Sequence, residues 1–224
     1  MEIWKEEWLI GVPVLIIGKS GSGKSTSLRN FNEKELAFVN VIKKPLPFRK
    51  KFESTLETDD YKTIAESIFK TKKKVIVIDD SGYLITNQFM KNHSKAGGGN
   101  SVFNLYNDLA DRYWNLIEFM KNKVDPNKIV YFMMHEDKND AGDIKPKTIG
   151  KLLDEKVCIE GMFTIVLRTD IEDGKYIFKT HSDGKDVTKT PIGMFKEDTI
   201  ENDLKYVDGI ISCLLYTSPS PRDR

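Results

Sequence analysis

The nine residues GKSGSGKST, positions 18–26, restrict this chain more than any other segment. They fit G-x-x-x-x-G-K-[ST], a phosphate-binding loop that must sit between a buried strand and a helix. Gly18, Gly21 and Gly23 let the backbone come close to an anion, and with Lys19, Ser20 and Ser22 they turn main-chain N–H groups inward. Lys24 is expected to reach β and γ phosphates and the Ser25 hydroxyl to ligate Mg²⁺. A helix opening at Ser25 and Thr26 would set its positive end on the same anion. The flanks agree. Residues 12–17, VPVLII, make an apolar run of strand length, with Pro13 tolerable only near its start. Beyond the loop, Leu28 and Phe31 stand three apart, as one buried helix face requires. A plain Gly/Ser turn is the competing reading, and this context argues against it.

A second segment, VIVIDD at 75–80, begins with four β-branched apolar residues, the pattern of a strand buried on both faces in a parallel sheet. Asp79 at its carboxyl end is expected to hold Mg²⁺ opposite Ser25. Asp80 either orients an attacking water or caps the next turn. Further strands are expected at 36–42, 129–134, 161–168 and 176–180, the last two joined across Asp173-Gly174. Helices are expected at 59–69, 101–123 and 200–211, with Asp125-Pro126 ending the long one. Strands interleaved with helices predict an α/β fold of three layers, a mostly parallel sheet with helices on both faces. Ligands then bind at the carboxyl ends of the strands, where Gly18, Asp79 and His135 all fall. His135 is a candidate γ-phosphate sensor or a satisfied strand-end histidine. Glu136 is an alternative water-orienting residue.

Lys and Arg total 35 against 34 Asp and Glu, a net charge of +1, so no global basic signal points to nucleic acid. Basic residues cluster instead at 43–51 (KKPLPFRKK) and 70–74, as solvated loop charge or as a surface for phosphate backbones. Two polar segments read as functional loops or plain connections: 93–100, with Lys95 and three glycines, and 136–147, with Lys138, Lys145 and Lys147. No run approaches the roughly 18 apolar residues of a membrane span, and residues 1–8 are too charged for a signal peptide. Trp4 and Trp8 share a face if that segment is helical and are expected to pack on the domain. Two cysteines, Cys158 and Cys213, make no disulfide framework, and cytoplasm is the expected compartment. A single domain is expected over 1–212. Residues 213–224 (CLLYTSPSPRDR) resemble translated sequencing-adapter read-through, or else a Ser/Pro/Arg disordered tail.

With these pieces placed, residues 10–211 resemble the bacteriophage AAA-family P-loop ATPases (phage nucleotide-binding proteins). These are minimal RecA-like cores similar to the Sak-type single-strand annealing ATPases. The pieces that carry the resemblance are GKSGSGKST (18–26), KPLPF (44–48), VIVIDD (75–80), KTIGKLLDEK (147–156), GMFTIVL (161–167) and PIGMF (191–195). The resemblance implies a RecA-like ATPase that uses ATP and Mg²⁺ in single-stranded DNA recombination or replication, in the bacterial host cytoplasm. It implies that residues 97–100 and 136–147 are the DNA-facing loops, with Lys95, Lys138, Lys145 and Lys147 as DNA contacts. A homo-oligomer is also implied, because RecA-like sites often lie between subunits; Arg168 or Lys151 would then contribute charge to a neighbour's phosphate. In one respect the chain departs from the pattern. RecA-like enzymes carry a catalytic glutamate just after the second strand, and here Asn40-Val41-Ile42 stands there. Hydrolysis is therefore expected to be slow, or to use Asp80 or Glu136.

Two other classes share a P-loop. A small-molecule or nucleotide kinase usually shows an arginine-rich lid, and here arginines are sparse before the tail. A nucleotide-gated assembly protein with little turnover would suit the missing glutamate. A GTPase fits less well, because no N-K-x-D guanine motif is present.

Overall fold

The computed structural model describes residues 11–95, 97 and 100–216. Trp4, Trp8, part of the 97–100 glycine segment and residues 217–224 lie outside them.

The chain folds as an α/β protein around one mostly parallel sheet. Its strands are β1 (Val12–Gly18), β2 (Leu36–Asn40), β3 (Ser54–Leu56), β4 (Val75–Asp79), β5 (Ile129–Lys138), β6 (Ile144–Pro146), β7 (Ile165–Glu172), β8 (Lys175–Lys179) and β9 (Thr199–Glu201). Their order is β3-β2-β4-β5-β1-β7-β8-β9, with β6 paired to the end of β5. From β3 to β7 along this order all pairs are parallel; β6, β8 and β9 join antiparallel. The helices are α1 (Tyr61–Lys70), α2 (Tyr83–Asn92), α3 (Asn100–Lys123) and α4 (Leu204–Tyr216).

Strand alternation builds two cores. Leu15, Ile17, Ile76, Ile78, Phe132 and Met134 face one side and pack with Ile64, Leu84, Leu109, Tyr113 and Ile117 of α1, α2 and α3. Val14, Ile16, Val75, Val77, Tyr131 and Met133 face the other and pack with Leu28, Phe31 and the Leu204, Val207 and Ile211 face of α4. The central strands are apolar at nearly every position because both faces are covered. Local signals set the helix ends. The Asp60 side chain accepts from Thr63 N at the start of α1. Lys128 donates to the Ile68 and Phe69 carbonyls at its end, 2.9 and 3.1 Å away.

Several expectations need correction. The segment after the phosphate-type loop is a six-residue 3-10 turn, Ser25–Asn30, rather than an α-helix. Ser25, Thr26 and Ser27 compete for the backbone, and the Ser27 hydroxyl donates to Lys24 O at 2.6 Å. Leu28 and Phe31 are nonetheless buried as their spacing requires. β2 stops at Asn40, not 42. The expected loop 136–147 is largely a hairpin: β5 runs on through Lys138 and returns as β6. The strand expected from 161 begins at Ile165, after a 3-10 turn Ile159–Met162. The last helix is preceded by β9 and extends to Tyr216, so positions 213–216 continue α4. No helix among the described residues is long and apolar enough to cross a membrane.

Candidate phosphate and metal site

β1 ends at Gly18, flanked in register by His135 of β5 and Thr169 of β7. A Cβ at Gly18 would lie 2.0 Å from Thr169 Oγ1 and 2.6 Å from Ser22 Oγ, so only glycine lets the loop fold back onto β7. The Ser22 and Thr169 hydroxyls stand 2.6 Å apart, and Ser22 Oγ also donates to Lys19 O. Gly23 has φ +104, and a Cβ there would meet the Tyr176 ring at 2.9 Å. Lys19, Ser20 and Gly21 form the exposed crown of the loop, with Ser22, Gly23 and Lys24 buried below and Ser25 and Thr26 half-buried.

Lys24 is 6% exposed. Its ammonium donates to the Gly18 and Lys19 carbonyls, each at 2.7 Å, which curls the side chain over the loop. Burial lowers its pKa to about 8 against the opposing pull of Asp80 and Asp79. Ser25 Oγ lies 3.0 and 2.9 Å from the two carboxylate oxygens of Asp79. Asp79 is 2% exposed, and burial, reinforced by the Asp80 charge, pushes its carboxyl up to about 6. Two motifs 54 positions apart thus touch through their side chains.

Ser25 and Asp79 are hard oxygen donors of the kind Mg²⁺ takes, and Mg²⁺ usually engages one or two carboxylates with waters and substrate phosphates. The pair fits that use. No group of three or more His, Cys, Asp or Glu suited to a metal occurs among the described residues, so phosphate and water oxygens would complete the shell.

Asp80 follows in the left-handed region, φ +56, held by a buried anchor. Ser81 N donates to Met133 O at 2.7 Å, and Ser81 Oγ lies 3.1 Å from the Tyr113 hydroxyl. The Asp80 carboxylate is ion-paired with Lys44 and lies 3.5 Å from His135 Nε2. Burial pushes its pKa up, but these two partners outweigh burial and hold it below the usual carboxylate value. His135 also meets Tyr83 edge-on, ring centroids 6.0 Å apart.

Glu136 is engaged elsewhere, although its charge is within range of Lys24. β-strand alternation places it with Met134 on the opposite face, where Arg168 donates to both its oxygens at 2.8 and 3.2 Å. Arg168 also pairs with Asp170 at 3.1 Å. The hairpin likewise divides the candidate lysines. Lys145 stands opposite Asp137, and Lys147 N donates to His135 O, whereas Lys138 stands opposite Ile144 on the other face. Lys95 ends a 3-10 turn and lines a groove between α2 and α3 with Gln88, Asp108 and Arg112.

Sequence reasoning gave Thr169 no role, noted Asn40 only as standing in place of a glutamate, and noted Lys44 only within the basic run and the KPLPF piece. Asn40 is in register with Asp79, so its place at the end of a buried strand was the available signal. Lys44 lay hidden in a basic run, where nothing distinguishes one lysine from the next.

The two shifted groups define a pH window. To take Mg²⁺, Asp79 would have to be ionised, and to take phosphate, Lys24 would have to be protonated. Affinity for a Mg²⁺-nucleotide should therefore fall below about pH 6 and again above about pH 8. Titration from pH 5 to 9.5 checks this; affinity flat across both limits would contradict the assignments.

No protein-family model matches the chain, and a search of curated proteins finds no match.

Proposed function

We propose that the protein binds ATP with Mg²⁺ at the residue 18–26 loop and hydrolyses it slowly, as a RecA-like ATPase that handles single-stranded DNA. The observation that carries the nucleotide part is the Ser25–Asp79 contact beside buried Lys24. A hydroxyl, a carboxylate and an ammonium meet at the carboxyl ends of parallel strands, where α/β folds bind ligands. Lys24 and the loop amides would stabilise charge on the transferring phosphoryl group, and Ser25 and Asp79 would position the metal. Asp80 is the water-orienting candidate nearest the metal pair. DNA handling is supported by the family resemblance and by the lysines of the β5–β6 hairpin, which rises from the strand bearing His135.

The test is ATP turnover at low salt with and without single-stranded DNA. Stimulation by DNA is expected. Lys145→Ala with Lys147→Ala should weaken DNA binding and flatten its salt dependence, each lost phosphate contact lowering the slope by about 0.7 for a single strand. Lys138→Ala, on the other face, should change it less. Equal effects from both faces, or none, would return the hairpin to a plain connection.

A second reading, a nucleotide-gated assembly protein with little turnover, is favoured by one observation. Both acidic candidates for water activation are engaged, Asp80 by Lys44 and His135, Glu136 by Arg168. ATP binding without measurable turnover, with or without DNA, would select it.

A further inference from the structure

The Lys44–Asp80 ion pair joins the last residue of the VIVIDD strand segment to the loop after β2, and several backbone features hold it in place. Lys44 stands on a stiff mount. The Asn40 carboxamide grips its backbone on both sides: Nδ2 donates to Lys44 O at 2.8 Å, and Lys44 N donates to Oδ1 at 3.2 Å. Lys43 before it adopts φ +56, a conformation non-glycine residues seldom take. Pro45 after it restricts Lys44 to extended backbone. From this mount the ammonium contacts Asp80 Oδ2. The two partners differ in freedom. The Asp80 side chain is 2% exposed and that of Lys44 is 42% exposed, so rotation of the lysine alone can break the pair.

The pair stands next to the metal pair. Asp80 adjoins Asp79 in the chain, Asp79 touches Ser25, and Lys24 and Asp79 both lie within electrostatic range of Lys44. The edge thus holds two carboxylates and two ammonium groups. Lys24 donates to the loop carbonyls in the free protein and serves the loop side of the site. Lys44 is the cation on the Asp79–Asp80 side, paired with Asp80 and within electrostatic range of Asp79.

We propose that Lys44 is a ligand of the terminal phosphate, held in reserve by Asp80. A nucleoside triphosphate exchanges one ion pair for another, and a diphosphate, lacking that phosphate, leaves the Lys44–Asp80 pair intact. The inference rests on the nucleotide reading above. Its consequence is that the site tells triphosphate from diphosphate through Lys44, and that Asp80 is released from Lys44, keeping His135 as its neighbour, only when the triphosphate is bound.

The test is a double-mutant cycle on the full chain, read as affinity for Mg²⁺-ADP and for a non-hydrolysable Mg²⁺-ATP analogue by calorimetry. Lys44→Met should weaken triphosphate binding on the order of tenfold, the size of one lost charge-assisted hydrogen bond, with diphosphate binding nearly unchanged. Asp80→Asn suits the left-handed backbone there; by removing the competitor it should strengthen triphosphate binding. The double variant leaves no unpaired charge at the pair and provides the fold-safe arm. It should resemble Lys44→Met, with the triphosphate preference lost. If Lys44 only neutralises Asp80, then Lys44→Met weakens both nucleotides alike and the double variant regains the wild-type preference; that overturns the proposal. Unchanged preference in all variants overturns it too, and leaves the nucleotide reading standing. Wild-type protein that binds neither nucleotide overturns the nucleotide reading itself, and the inference with it.

Discussion

Lys24→Met should lose tight nucleotide binding and lower any turnover by about 10²–10³-fold, the usual cost of removing one preorganised charge-stabilising donor. The free protein should be as stable as wild type or more so. Lys24 is buried, and its pKa falls from 10.5 to about 8, roughly 3 kcal/mol against the charged form. The sign follows from linkage. Between about pH 8 and 10.5 the unfolded lysine keeps a proton that the folded one has released, so the free wild type gains stability as pH rises through that window. At neutral pH the full penalty is present. Methionine keeps the length and the packing without the charge, so it removes the penalty and the pH-dependent gain together. A thermal melt and a nucleotide titration on the same sample separate this from misfolding. A destabilised variant that still binds would refute the role given to Lys24.

Asp79→Asn should raise the Mg²⁺ concentration needed for half-maximal binding or turnover by at least about tenfold, a cost seen even for outer-shell partners of metal ligands. In the absence of metal it should not destabilise the fold. The Asp79 carboxyl is pushed from 3.8 to about 6 by burial and by the Asp80 charge. The folded state therefore holds an extra proton between about pH 4 and 6, and stability falls as pH rises through that window. At pH 7 the ionised side chain is a liability that the Lys44 and Lys24 charges and the Ser25 hydroxyl relieve only in part. Asparagine can still accept from Ser25 but brings no charge to Mg²⁺. A metal titration indistinguishable from wild type would remove Asp79 from the site.

Segments whose conformation follows from residue type and spacing were legible before the fold. The residue 18–26 loop, the VIVIDD strand, the buried run at 129–134 and the long helix α3 all follow from composition and period. What escaped depends on one-residue phase or on contacts between distant segments. Glu136 and His135 are neighbours in sequence, yet alternation sends one to Arg168 and the other to Asp80; a one-residue phase change reverses such an assignment. Lys44 reaches Asp80 only because β2 lies beside β4 and Asn40 turns the chain back. α2 was not anticipated because Tyr83–Asn92 mixes polar residues through its buried face, with only Leu84 and Ile85 fully buried. The 3-10 turn after the loop reflects serine and threonine hydroxyls that periodicity does not weigh.

The central claim is that Lys24, Ser25 and Asp79 form one Mg²⁺-nucleotide site. Calorimetric titration of the wild-type chain with ATP, in Mg²⁺ and then in EDTA, tests it most directly. Saturable one-to-one binding that weakens sharply when the metal is removed is the expected result. No binding in either condition, or binding of equal strength in both, would contradict it.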